Sequence, residues 1–531
     1  MAVITPSTDL KLLKVPLEMD SINQLTFASK EAQYNYFNSL PKLEVDDFTY
    51  QRKDGVVRFG VNFDDVLGYN YCMYRNDEFS DKWFYAYITD VIWKSPNSTD
   101  MAIRTDVWQT WQFDLNYKPV FVEREHVNDD TVGANTVPEN LEIGEYIANG
   151  VYQDFTQTAF STAYLCVGVS RVISPFTTNP LTNWLTVYGG IYSGLSYMFF
   201  DSFVSLQRVI DYYTTQGYAE DIQTIFYVPK SFIDASSPKT QTYTLSSPTN
   251  TATVTWIEPS ETPITTTTTF GKPTSLAGYY PRNNKLFCQP FCFFNITNNV
   301  GGEYTYNYED FTGNDVIFNS NVALSPSMSI IAYPSNYKNG TSGNNWSYGV
   351  SGNRTPQCSW ITDYYTNWLT QNAVNIGIQG FETAFSTAAN LTVGNLAGAG
   401  GSLFSGISSI VSEHYRAAHV PNQVNGNVNN GDVSFSSAKC CFTYLPKCIK
   451  NEYARMCDDY FDMFGYAVHR VKLPNVTGRR NWNYVKTQGC YIEGDIPQED
   501  MQELKQMFDS GVTFWHNPAT FADYSQNNDI I

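Results

Sequence analysis

The chain has 531 residues, with 33 Lys and Arg against 52 Asp and Glu, a formal net charge of −19, and 42% hydrophobic but only 16% charged residues. That length favours two or three domains and the composition is too apolar for a disordered acidic chain, while the acidic balance excludes a sequence-reading DNA-binding protein, whose grip on phosphate needs clustered Lys and Arg. Aromatic residues reach 16%, with 38 Tyr, 34 Phe and 11 Trp, which favours strands over helical bundles.

The first twenty residues, MAVITPSTDLKLLKVPLEMD, lack a basic region followed by a long apolar run, so no secretory signal is read and synthesis in a cytoplasm is expected. Phe27 to Phe37 is a helix candidate with Ser29 as its N-cap. The run Trp83–Trp93, the turn formers Ser95, Pro96, Asn97 and Ser98, and a second run from Met101 to Trp111 predict two strands joined by a hairpin. A loop containing Gly133, Asn135, Pro138 and Asn140 marks a boundary.

From about 160 to 360 the pattern stays β-rich, with one helix predicted at Ser202 to Gly217, where Phe203, Leu206, Ile210 and Tyr213 share a face, Ser202 caps the start and Gly217 the end. The Thr/Ser/Pro stretch over 236–275 is read as a protruding β region, with a flexible insertion as the rival. After 440, Tyr453, Met456, Cys457, Tyr460, Phe461 and Phe464 form a helical stripe that stops at Gly465. A second helix starts at Pro497, carries Glu499, Asp500 and Glu503 near its positive end and Met501, Leu504 and Phe508 inside, and stops at Gly511. Both are expected to pack on strands. The fold class expected is mainly β with a few helices, in several domains.

Chemistry-bearing motifs are missing: no GxxxxGK[ST], HExxH, GxGxxG or GxSxG is present. The ten cysteines contain no paired CxxC unit, so structural zinc is not expected, and Cys288 and Cys292 in LFCQPFCFF read as small buried thiols. The histidines are His126, His414, His419, His469 and His516. Glu123-Arg124-Glu125-His126 can be drawn as a metal or acid–base cluster, or as an ion-paired strand end. A glycosidase carboxylate pair would show only in space. The chain is therefore not read as an enzyme, and neither a cofactor nor a metal is implied.

Between Asp363 and Glu413 the only carboxylate, Lys or Arg is Glu382. Seven glycines there are interleaved with Phe381, Phe385, Leu391, Val393, Leu396, Leu403, Phe404, Ile407, Ile410 and Val411. Asn, Gln, Ser and Thr interrupt the stretch too often for an ordinary bilayer span. The small-residue spacings Gly394–Gly398 and Gly380, Ala384, Ala388 allow close helix approach but are weak signals. A buried helical hairpin and a membrane-active segment both fit.

Three strings in the first part of the chain carry a resemblance: Asp81 to Thr89 (DKWFYAYIT), Asp106 to Phe113 (DVWQTWQF) and Phe121 to Val127 (FVEREHV). Later come Arg470 to Asn475 (RVKLPN), Asn483 to Thr487 (NYVKT), Gly494 to Ile496 and Phe508 to His516 (FDSGVTFWH). In order and spacing these resemble the tail knob (distal tail tube) proteins of small short-tailed phages with protein-primed genomes. The resemblance covers roughly 1–130 and 440–531. It implies a homohexameric, mainly β tube at the virion tail tip, assembled in the host cytoplasm, through which the genome DNA leaves, joined to upstream tail tube or connector proteins. It also implies an apolar loop before the C-terminal domain that plugs the lumen, then exits and perforates the host membrane. Mapped onto this chain, the division is an N-terminal tube β domain at 1–130, a middle β-rich domain at 131–362, the uncharged Gly/Ala-rich apolar loop at 363–430, and a C-terminal tube domain at 431–531. The ten apolar residues named above, with Glu382, are then the membrane-active residues.

An acidic lumen would let DNA slide without sticking. The stretch from His469 to Lys486 is the exception, with Arg470, Lys472, Arg479, Arg480 and Lys486 and no acid, and reads either as a DNA contact or as a surface paired with a neighbouring subunit or tail protein. The alternative function is an aromatic-rich β protein that binds or degrades host-surface glycan.

Overall fold

In the computed structural model the aromatic run is a twelve-residue strand, Phe84–Ser95, which turns and returns as Ser98–Thr105. The hairpin is thus as expected, but the second strand ends early. Asp106 Oδ1 accepts the Gln109 N–H at 3.0 Å, and this cap starts a short helix, Val107–Trp111, where the sequence pattern predicted strand. The structure describes residues 8–46, 48–51, 55–76, 82–153, 163–246, 249–326, 328–338, 345–354, 357–362, 423–425 and 442–531.

Two units are built from interleaved segments: Met1–Tyr146, Thr274–Phe291 and Ile449–Ile531 form the first, Ile147–Pro273 and Cys292–Cys448 the second. In the first unit the hairpin belongs to a seven-stranded antiparallel sheet ordered Lys42–Asp46, Thr8–Leu13, Tyr71–Asn76, Phe84–Ser95, Ser98–Thr105, Val56–Phe59, Thr49–Gln51. Its strands are apolar on both faces. Leu10, Leu12, Cys72, Tyr74 and Ala86 feed one core, whereas Leu13, Tyr71, Met73, Tyr85 and Tyr87 feed a second that also holds Phe37, Trp482 and Trp515. The two-residue alternation of strand side chains produces this split. Phe37 comes from the helix Lys30–Ser39, whose cap is Ser29: its Oγ accepts the Ala32 N–H at 3.1 Å.

A five-stranded sheet in the same unit runs Asn23–Leu25, Val512–Trp515, Trp482–Gln488, Val120–Glu125, Tyr466–Lys472. Only the pair Asn23–Leu25 with Val512–Trp515 is parallel. The helix Gln498–Ser510 packs beside it through Leu504 and Phe508, which share a core with Val485, Val512 and Phe514. The helix Asn451–Phe464 stops at Gly465 (φ 63°) and its partner at Gly511 (φ 96°), both as expected. Of the predicted stripe, Cys457 and Phe461 are buried and Met456 is exposed.

In the second unit a five-stranded sheet runs Ile222–Pro229, Ala163–Val169, Ser196–Phe200, Thr249–Trp256, Lys239–Ser246. The helix Phe203–Thr215 lays Leu206, Val209, Ile210 and Tyr213 into its core. Two details differ from expectation: Phe203 is exposed, and Ser202 makes no side-chain cap. The Thr-rich stretch is built into sheets. Tyr243, Leu245, Val254 and Trp256 point into the core, while Thr240 pairs with Thr255 and Thr242 with Thr253 across the hairpin, at 3.1 and 3.0 Å between hydroxyls. Ile264–Gly271 belongs to another sheet, followed by Asp315–Val322, Ser329–Pro334 and Val350–Arg354. The fold is mainly β with a few helices.

Candidate functional site

Glu123, Arg124 and Glu125 lie on the strand Val120–Glu125, which runs between Tyr466–Lys472 and Trp482–Gln488. Both ladders slip between Val122 and Arg124, and this bulge re-aims the charged residues. Glu123 accepts Lys486 Nζ at 2.8 Å. Glu125 is fully buried, takes Lys472 Nζ, and accepts the Asn475 N–H at 2.9 Å. Burial still lifts its carboxyl above the ordinary value, because desolvation outweighs the ammonium. Arg124 pairs with Glu139, donates to the Gly465 carbonyl at 2.5 Å, and lies 4.7 Å from the Tyr460 ring centre.

His126 is fully buried. Its Nδ1 accepts the Tyr484 N–H at 2.7 Å and its Nε2 donates to the Asp462 carbonyl at 2.9 Å, an arrangement that suits the neutral ring protonated on Nε2. Burial, reinforced by Arg479, drops its pKa to about 3. Both ring nitrogens are occupied by backbone groups, so this histidine ties the strand Trp482–Gln488 to the helix Asn451–Phe464 and moves no proton at neutral pH. The ion-paired strand end, not the acid–base cluster, is what the four residues form.

The basic stretch is equally divided. Lys472 and Lys486 are neutralised by Glu125 and Glu123 of the same chain, Arg470 and Arg480 are exposed, and Arg479 is buried. It is not one continuous cationic stripe. Among the described residues no three His, Cys, Asp or Glu side chains cluster as metal ligands, and the eight described cysteines are free thiols. Burial pushes Cys457 and Cys490 up to about 11.

Phe381, Glu382, Phe385, Leu391, Val393, Leu396, Leu403, Phe404, Ile407, Ile410 and Val411 lie outside the described residues. Among the described residues no helix is long and apolar enough to cross a membrane. Sequence reading missed Asp458, which is fully buried and accepts the Tyr279 hydroxyl at 2.7 Å, the backbone N–H of Arg282 at 2.8 Å and that of Asn283 at 3.0 Å. One carboxylate thereby fixes the 279–283 loop on the helix Asn451–Phe464. An acid inside the buried stripe, beside Cys457, was the available signal.

Residues 258–529 match the family model of the C-terminal domain of the Bacillus phage phi29 tail knob protein gp9, and residues 6–116 match that of the caudoviral major tail protein N-terminus. The tail knob protein gp9 of Bacillus phage phi29 is 24% identical over 617 aligned positions, covering 98% of each chain, as is that of Bacillus phage PZA. The solved tail knob protein gp12 of bacteriophage C1 superposes with a TM-score of 0.67 at 18% identity, over 99% of this chain and all of that one, which establishes a shared fold. With the gp9 model spanning half of the sequence and the β architecture shared from end to end, this chain belongs to the phage tail knob protein family.

Proposed function

We propose that the chain forms the distal tail tube as a closed homohexameric ring, that genome DNA leaves through its lumen, and that residues 363–430 plug this lumen and later insert into the host membrane. As a tail knob protein it is a structural component of the phage virion tail, within a multi-subunit assembly. The four-part division at 1–130, 131–362, 363–430 and 431–531 describes the functional segments in this reading. The observation that carries it is the charge-poor stretch between Asp363 and Glu413, placed within a chain that matches tail knob proteins over 98% of its length. Ring closure removes the exposed edges that open β-sheets must otherwise protect. A net charge of −19 per subunit favours passage of DNA over retention. No enzymatic step is assigned: the family is structural, and His126, the histidine of the Glu123–His126 string, is locked by backbone groups.

Dye release from liposomes tests the loop. The full chain is expected to cause leakage that a variant lacking Thr370 to Val411 does not. Equal leakage from both would remove the membrane role.

A further inference from the structure

Cys292 opens the strand Cys292–Thr297 and stands directly opposite Cys448 on the antiparallel strand Thr443–Ile449. Both side chains are buried and both are thiols. The neighbouring hydrogen bonds decide which kind of antiparallel pair they form. Asn149 lies on the other flank of Thr443–Ile449, with the strand Tyr152–Gln153, and its N–H donates to the Pro446 carbonyl at 2.7 Å. That carbonyl therefore points away from Phe294, the residue opposite it. One step beyond the cysteines, the Ile449 N–H donates to the Phe291 carbonyl at 3.0 Å. Bonded and non-bonded pairs alternate along such a ladder, so Cys292 and Cys448 are a non-hydrogen-bonded pair, the kind whose Cα atoms approach to about 4.5 Å. A disulfide needs about 4.4–6.8 Å between Cα atoms.

Side chains directly opposite one another project from the same face of the sheet. Phe294, two residues on from Cys292, shares that face, and its ring centre lies 6.0 Å from that of Tyr308. Burial, and after it the Cys292 and Cys448 thiols, push the Tyr308 hydroxyl above its ordinary value, so both sulfurs face this aromatic core. Such packing keeps bulky reagents out and admits only a small oxidant. Among the described cysteines no other two are ladder partners: Cys72 stands opposite Leu12 and Ala86, Cys166 opposite Phe199 and Phe226, and the rest lie outside strands. Cys292 is also the first residue, and Cys448 the last, of the second unit's later segment. A bond between them would tie the two ends of that segment into one long loop, and long loops are where a cross-link restricts the unfolded chain most.

We propose that Cys292 and Cys448 are a redox-modification site, joined by a disulfide once the virion has left the host cytoplasm. A virion protein is made where thiols are kept reduced and is then held outside the cell, where disulfides persist. With a peroxide as oxidant, one sulfur takes an oxygen atom to become a sulfenic acid and a first water leaves; the second sulfur displaces that oxygen as a second water and the S–S bond forms. Each sulfur gives up one electron and the peroxide accepts both. The site depends on neither ring closure nor the apolar loop. The test starts from the full chain purified under reductant, treated with hydrogen peroxide, unfolded in an alkylating agent and digested without reduction. A peptide joining Cys292 to Cys448 is expected in the mass spectrum and should vanish on reduction. The oxidised chain should melt about 5 °C above the reduced one, a rise that reductant reverses and that Cys448→Ala lacks. Should Cys448→Ala fail to fold, the peptide map of the unaltered chain decides alone. Both thiols alkylated after peroxide, either one joined to a different cysteine, or either one oxidised singly to a sulfinic acid would overturn the proposal.

Discussion

His126 and Tyr484 hold each other twice: the Tyr484 N–H donates to His126 Nδ1 at 2.7 Å, and the His126 N–H donates to the Tyr484 carbonyl at 3.1 Å. The ring is kept neutral, with a pKa of about 3 in the fold against 6.5 ordinarily. Between those values the unfolded chain binds the extra proton. The stabilisation is therefore complete above about pH 6.5 and is lost as pH falls towards 3, by up to about 1.4 kcal/mol per pH unit. Urea unfolding between about pH 7 and 5 should show wild type losing more stability than His126→Gln. Parallel losses would contradict the assignment.

Asp106 acts with the opposite sign. Burial raises its pKa from 3.8 to about 6, although the Gln109 N–H and the Tyr71 hydroxyl at 3.0 Å both stabilise the carboxylate. Its contribution is present below 3.8 and lost as pH rises through 6, by up to about 1.4 kcal/mol per unit. Asp106→Asn keeps an acceptor for the cap and removes the charge. Its Tm relative to wild type should rise between about pH 4 and 6; a constant difference would count against the buried carboxylate.

Gly465 sits where a helix end passes a strand. A Cβ there would lie 2.2 Å from the Glu125 carbonyl oxygen and 2.5 Å from the His126 nitrogen, both backbone atoms, with φ at 63°. Gly194, at φ 71°, has nothing within 4 Å of the same position. Gly194→Ala should cost about 1–2 kcal/mol from left-handed backbone strain alone, whereas Gly465→Ala should exceed 4 kcal/mol or abolish folding. Equal losses in urea titrations would show that the close approach is absent.

These contrasts mark what the sequence discloses. Helix stops at Gly217, Gly465 and Gly511 and the cap at Ser29 are legible because each acts on a neighbouring residue. The short helix after Asp106 was not, since Val107 to Trp111 suits a strand by composition and only the Asp106–Gln109 bond decides otherwise. Nor was the sheet that brings Asn23–Leu25 beside Val512–Trp515, because no local pattern specifies a partner almost five hundred residues away. Arg479 looked like one member of a basic stretch. Its burial depends on the C-terminal segment reaching it, with Ile530 bridged to its backbone.

Glu382 is the one charge in the apolar stretch, and an ionised carboxylate near a bilayer centre costs several kcal/mol. Liposome leakage should therefore strengthen as pH falls through the carboxylate range, while Glu382→Gln should leak at all pH values with little change. A variant as pH-sensitive as wild type would remove Glu382 from the account.

Ring closure is the central claim, and electron microscopy of intact particles viewed end-on along the tail tests it most directly. The expected image is a closed six-fold ring at the distal tip, labelled by antibodies to this chain, around a central channel. Monomers, an open filament, or a closed ring that the antibodies leave unlabelled would contradict it.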